Sequence, residues 1–228
     1  MSMVSIGDHV WVGRRRYYHC GEGRNYPGVT TILGATKRPE DAAGLARWRA
    51  RVGEEEATRI SSEAAARGTY VHAQIESYLA PKLPQPQDRE PPDYDPALAG
   101  YWNSIQSAIA EIEPLYLEQF VYSDRHCYAG TMDCLGYYQG KLSLVDFKTS
   151  GKVKPEAYTF DWLCQVTAYA AASREIGILQ DSIAQGVILV ALPDQPAQVF
   201  VCPREELREY WHQFQNRVNK FYRQLEAG

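Results

Sequence analysis

Several class-defining features are missing from this sequence. No apolar run approaches the roughly 20 residues of a membrane-spanning helix. There is no CxxC pair, and the five cysteines (Cys20, Cys127, Cys134, Cys164 and Cys202) are odd in number and scattered. Such spacing argues against a disulfide framework and for reduced thiols. Surplus positive charge is also lacking: 24 Lys and Arg against 28 Asp and Glu give a formal net charge of −4. A nucleic-acid partner would therefore need a local basic groove rather than bulk charge. The start, MSMVSIGDHV, has neither the charged-then-apolar order of a signal peptide nor an Arg-rich transit pattern, so an intracellular, cytoplasmic protein is expected. No internal repeat is visible. What is present is 228 residues, 45% hydrophobic and 23% charged, which fits one globular domain spanning residues 1–228.

The chain is organised around Gly130 to Ser150, GTMDCLGYYQGKLSLVDFKTS. Tyr128 to Tyr138 suits a strand, Gln139-Gly140 a turn, and Lys141 to Phe147 a second strand. If the turn holds two residues, Tyr138 pairs with Lys141 and, counting back, Asp133 faces Asp146. Gln is a poorer fit than Asn or Asp for that turn, and an odd-length loop would break the pairing. The period of two puts Asp146 and Lys148 on one face. For Asp133 alone, a solvated surface hairpin is an equal alternative. Asp146 follows the apolar Leu142, Leu144 and Val145, and a buried carboxylate there needs a partner or a metal. Two adjacent acids and a lysine suit a divalent-metal phosphodiesterase: Mg²⁺ takes oxygen ligands and relieves their repulsion, and the ammonium is a compact charge for a phosphate or a water.

Around this hairpin, His9 to Tyr18 reads as a short hairpin with Arg14-Arg15-Arg16. Pro39 to Ile60 reads as a helix, with Trp48 placed in the core ahead of the alternative of a base-stacking surface. Ser62 to Leu79 is a second helix, with an apolar stripe of Val71, Ile75, Tyr78 and Leu79 and with His72 and Glu76 together one step round. Six prolines between residues 81 and 96 mark a connecting surface loop. Pro96 to Glu113 follows as a helix, Leu117 to Tyr122 as a strand, and Asp161 to Arg174 as a helix with Gln165 and Tyr169 on one face. Gly186 to Leu192 and Gln198 to Cys202 form a strand pair before a long amphipathic helix, Glu205 to Leu225. Lys152 sits in a basic loop past the hairpin, near a substrate backbone or simply solvated. Thr30 serves either as a phosphate contact or as an N-cap.

Gly130-Thr131-Met132-Asp133 with Asp146-Phe147-Lys148 resembles the PD-(D/E)xK nuclease superfamily in its RecB-like form. Within it, the chain looks most like the mitochondrial genome maintenance exonuclease family. The similarity extends over Tyr26 to Leu33, Arg67 to His72 with Glu76, Gly140 to Ser150, and Cys164 to Tyr169. The resemblance implies an α/β fold with a restriction-endonuclease-like core, a mixed central β-sheet flanked by helices. It implies a helical region over about 40–112, a catalytic hairpin and core over about 115–202, and a C-terminal helix over about 204–225. Asp133, Asp146, His72 and the carbonyl of Val145 or Phe147 would hold Mg²⁺ or Mn²⁺, with Lys148 positioning a water or neutralising the transition state. Imidazole favours softer ions than Mg²⁺. Glu76, Thr149, Ser150, Gln165 and Tyr169 would lie behind the ligands or against the substrate, with Thr30 near phosphate.

The implied activity is exonucleolytic hydrolysis of single-stranded DNA by a monomer, with helices around 40–79 arching over the strand. A duplex endonuclease or RNase of the same superfamily, and a non-catalytic nucleic-acid-binding protein on a nuclease fold, are the alternatives. Some RecB-like relatives carry an iron–sulfur cluster on closely spaced C-terminal cysteines; only Cys202 lies there, so no iron–sulfur cluster is expected. The absent transit pattern suggests a bacterial or phage-like member. Replication, repair and defence against foreign DNA are all compatible.

Overall fold

The structure, a computed structural model, describes residues 5–13 and 15–227, so Arg14 of the basic triplet lies outside the described residues. Two sheets form. Strands β1 (His9–Val12), β2 (Arg15–His19) and β3 (Asn25–Pro27) make a small antiparallel sheet. The central sheet runs in the order β4 (Ile112–Ser123), β5 (Tyr128–Tyr138), β6 (Lys141–Thr149), β7 (Gln185–Ala191), β8 (Gln198–Pro203). It is mixed: β6 and β7 are parallel and the other neighbours antiparallel. A parallel pair needs a long crossover, supplied here by helix α5 (Phe160–Glu175). The expected α/β class, with a mixed sheet flanked by helices, is what the chain adopts.

The β5–β6 turn closes at Gln139 and Gly140, both with positive φ (51° and 73°), as a primed two-residue turn requires. Tyr138 pairs with Lys141 and Cys134 with Val145, the register counted from the sequence. Strand β7 is buried along its whole length, which explains its unbroken apolar run. Leu144, Ile188 and Val190 face α5, helix α1 (Val29–Ala35) and helix α6 (Arg204–Glu226). Val145, Phe147, Val187 and Leu189 face helices α3 (Glu54–Leu79) and α4 (Ala99–Ala110). The sheet thus separates two apolar layers.

Three boundaries differ from those read in the sequence. The helical region breaks at Gly53 (φ 88°, ψ 153°), between α2 (Pro39–Val52) and α3, not near residue 61. Ser61 is no stop signal, because its hydroxyl donates back to the Ala57 carbonyl at 2.7 Å within the helix. Helix α4 ends at Ala110, and β4 starts at Ile112, where burial alternates over Ile112, Glu113 and Pro114. Helix α2 buries none of its residues, and Trp48 is half-buried rather than core. Tyr78 is likewise out of the apolar stripe at 36% exposure, set edge-on to Trp102. The first half of α3 buries only Ala57, whereas its second half buries Val71, Ile75 and Leu79. The α2–α3 unit therefore projects from the body and is anchored through the last turns of α3.

Candidate active site

Asp133 sits where the β5–β6 ladder ends, one residue beyond the Cys134–Val145 pair. Its Oδ2 accepts a hydrogen bond from the Phe147 N–H at 2.8 Å, so a side chain replaces the next ladder bond. Asp146 follows on β6 and is 1% exposed. Neither of its oxygens accepts a hydrogen bond of ordinary geometry, although Lys148 Nζ forms an ion pair with Oδ2. Burial raises the Asp146 carboxyl above the usual carboxylate range; Lys148 opposes this and Asp133 adds to it. An under-satisfied buried carboxylate is costly, and it is the feature a bound cation would relieve.

His72 reaches this spot from α3. Its Nε2 lies 2.9 Å from the Phe147 carbonyl and its Nδ1 3.9 Å from Asp133 Oδ1. A carbonyl only accepts, so Nε2 donates to it, and Nδ1 is the nitrogen turned toward Asp133. The imidazole is held as metal-ligating histidines are, with one nitrogen tied to a backbone oxygen. The Phe147 carbonyl, expected as a ligand, accepts this hydrogen bond and so orients His72.

A further acid completes the cluster. Glu118 on β4 lies between the Leu117–Cys134 and Gln119–Met132 pairs, opposite Asp133. One ligand atom from each of His72, Glu118 and Asp133 lies within 4.8 Å of the others. Burial, then Asp133 and Glu76, push the Glu118 carboxyl up to about 8, with Arg89 opposing. Two carboxylates and an imidazole nitrogen beside the orphaned Asp146 oxygens fit a divalent cation. These groups open onto a cavity of about 510 Å³, whose wall includes Lys148, Gln165, Tyr169 and Thr30. Gln165 Nε2 approaches the Tyr169 hydroxyl at 3.5 Å. Gly130 lets the Tyr169 ring in: a Cβ there would stand 2.7 Å from Tyr169 Cε1.

No family model matches the chain. Among curated proteins, mitochondrial genome maintenance exonuclease 1 of Mus musculus is 33% identical over 202 residues, 86% of this chain and 58% of the mouse protein. The Homo sapiens protein is 30% identical over the same shares, and that of Xenopus tropicalis 30% over 207 residues, 88% of this chain and 58% of its own length. Over this stretch the chain is a homologue of the mitochondrial genome maintenance exonucleases. It spans 58% of the length of each of these relatives.

The structure brings together His72, Asp133, Asp146, Lys148, Gln165, Tyr169 and Thr30, but not every residue singled out in the sequence. Thr149 accepts a hydrogen bond from Arg67 Nε at 3.2 Å. Ser150 is buried, with its hydroxyl donated to the Lys152 carbonyl, and Lys152 is exposed in the same turn. These three shape the loop after β6 and do not line the cavity. Glu76 pairs with Arg89 at 2.5 Å, which fastens the proline-rich connecting loop to α3. Thr30 does not cap α1; Gly28 stands at the N-cap, and the Thr30 hydroxyl accepts from Arg16 Nη2 at 3.4 Å. Glu118 escaped the sequence reading. Its only signal was an acid within an apolar strand, and its register could not be counted across a loop of unknown length.

Proposed function

We propose that the chain is a divalent-metal-dependent exonuclease that hydrolyses phosphodiester bonds of single-stranded DNA. The observation that carries this reading is the buried Asp146 carboxylate, ion-paired with Lys148 through Oδ2 and without a partner at Oδ1, in the field of Asp133 and His72. Asp133, Asp146, Glu118 and His72 Nδ1 are the groups that would hold Mg²⁺ or Mn²⁺. When bound, such an ion supplies an electrophile that acidifies a water and offsets charge building on phosphate oxygens. His72 turns Nδ1 inward because Phe147 holds the opposite nitrogen. Lys148, ion-paired with Asp146, is placed to orient the attacking water and to neutralise the phosphate in the transition state. Gln165 and Tyr169 form the back wall behind it.

The exonuclease activity is carried over from the relatives' name, and the single-strand preference from the resemblance to that family. The projecting α2–α3 unit, with no buried residue in α2, is consistent with an arch over a strand.

The test is an incubation with single-stranded DNA labelled at either end, with Mg²⁺, Mn²⁺ or EDTA, alongside circular strands and duplex. Metal-dependent loss of linear strands with circles spared is the expected outcome. Asp146→Ala should remove cleavage, by at least about a thousandfold, while leaving a cooperatively folded protein. Wild-type activity in the Asp146→Ala protein would overturn the assignment. Cut circles would move the reading to an endonuclease, and binding without cleavage to a non-catalytic protein.

A further inference from the structure

A second cavity, of about 480 Å³, adjoins the first and shares Arg16, Thr30 and Gly34 with it. It lies between the β1–β2 hairpin and α1, and its remaining wall is Trp11, Arg15, Thr31 and Ala35. No acid lines it, in a chain whose net charge is −4. Trp11 stands 62% exposed, on a strand that buries nothing. It pairs across the strands with Arg16, and Arg16 and Tyr18 follow on the same face. The Arg16 guanidinium lies 5.0 Å from the Tyr18 ring centre and is steadied by Thr30. Arg16 and Tyr18 also wall the catalytic cavity. The floor is fixed, because the Thr31 hydroxyl accepts from the Arg16 N–H and approaches its carbonyl, both at 3.2 Å. One surface thus leads from Lys148 past Tyr18 and Arg16 to Trp11. An exposed aromatic flanked by arginines on a fixed floor has the chemistry that holds single strands: rings stack on bases and guanidinium groups meet phosphates.

We propose that this groove is a second binding subsite for single-stranded nucleic acid, in which Trp11 stacks on a base and Arg15 and Arg16 contact the backbone beyond the scissile phosphate. The subsite rests on the nuclease reading above, and it adds substrate length as a determinant of affinity.

The test measures binding of fluorescent single-stranded oligodeoxynucleotides, from about 3 to about 12 nucleotides, to the intact chain in EDTA. Trp11→Ala should weaken binding of the longest strands about tenfold and leave the shortest unchanged, with Trp11→Phe retaining most of the affinity. Arg15→Ala should make the slope of log affinity against log salt shallower by about 0.7, one phosphate contact. Trp11 is exposed, so a melting curve matching wild type will confirm folding. If the wild type binds and cleaves single strands and both alanine variants bind every length as it does, the subsite is wrong and the nuclease reading stands. If Trp11→Ala instead abolishes a concentration-dependent dimer without altering strand binding, the surface joins two copies of the chain and the subsite is again wrong. If the wild type binds no single strand, both readings fall.

Discussion

Glu118 holds φ at +46° in the middle of a strand, a conformation that costs a non-glycine residue of order 1–3 kcal/mol. It does so in order to stand opposite Asp133, in a place that already holds Glu76, Asp146 and His72, with Arg89 as the nearest opposing charge. The strain and the repulsion both point to a residue kept for chemistry rather than stability. A carboxyl whose folded pKa is raised binds its proton more tightly folded than unfolded. Its contribution to stability is therefore lost as pH rises, between the ordinary value of 4.5 and about 8. In EDTA, Glu118→Gln should raise the melting temperature at pH 8 and change it little at pH 4.5. Added Mn²⁺ should then stabilise the wild type more than the variant, because a ligand that binds only the folded state shifts melting by mass action. Equal shifts at both pH values, or an undiminished response to Mn²⁺, would remove Glu118 from the metal centre. Asp133 and Asp146 were legible in the sequence because a two-residue turn turns register into counting. Glu118 was not, because its strand is joined to β5 by a loop whose length the sequence does not show.

At the scale of elements, Gly53 decides how α2 meets α3. Its φ of 88° with ψ of 153° belongs to a region open almost only to glycine, although nothing crowds the space where a Cβ would go. Alanine there would be strained in the observed conformation and better placed in a helix, where it is favoured over glycine by roughly 1 kcal/mol. Because α2 buries nothing, little resists its swinging into line with α3. Gly53→Ala is therefore expected to raise helical circular dichroism slightly, leave the melting of the body nearly unchanged and slow cleavage of single strands. Unchanged helicity and unchanged cleavage would show that the break has no part in the arch. The two helices themselves were readable from their patterns, as was the stripe of Val71, Ile75 and Leu79 that docks α3. The break was misplaced because Ser61 looks like a cap in sequence, whereas its hydroxyl is satisfied within the helix. The start of β4 was missed for a related reason: Ile112 continues the apolar spacing of α4, and only burial on the sheet shows the change of period.

Across the whole molecule, Arg217 ties the C-terminal helix to both parts that wall the cavity. It is 6% exposed, on α6, and its guanidinium serves three partners distant in sequence. Nε donates to the Thr36 hydroxyl at 3.0 Å, Nη2 to the Leu33 carbonyl at the end of α1, and Nη1 pairs with Asp161 in the first turn of α5. A cation suits the C-terminal end of α1, and the planar fork meets three acceptors as an ammonium cannot. None of this was visible in sequence, where Arg217 is one more charge on an amphipathic helix; the partners lie 56 to 184 residues away. Arg217→Met keeps the bulk but removes the donor from the buried Leu33 carbonyl and unpairs the part-buried Asp161, which costs roughly 1–3 kcal/mol. At about 2–4 °C per kcal/mol for a chain of this size, melting should fall by on the order of 5 °C. Arg217→Lys should fall in between. Asp161→Asn combined with Arg217→Met should cost less than the two singles added together, because each single already breaks the shared pair. Strictly additive losses would mean that Arg217 stabilises by packing alone. Since α1 carries Thr30 and Thr31 to the groove, Arg217→Met protein that is still folded at low temperature should also bind single strands more weakly. A binding curve identical to wild type would separate the tie that holds the fold from the wall that meets the substrate.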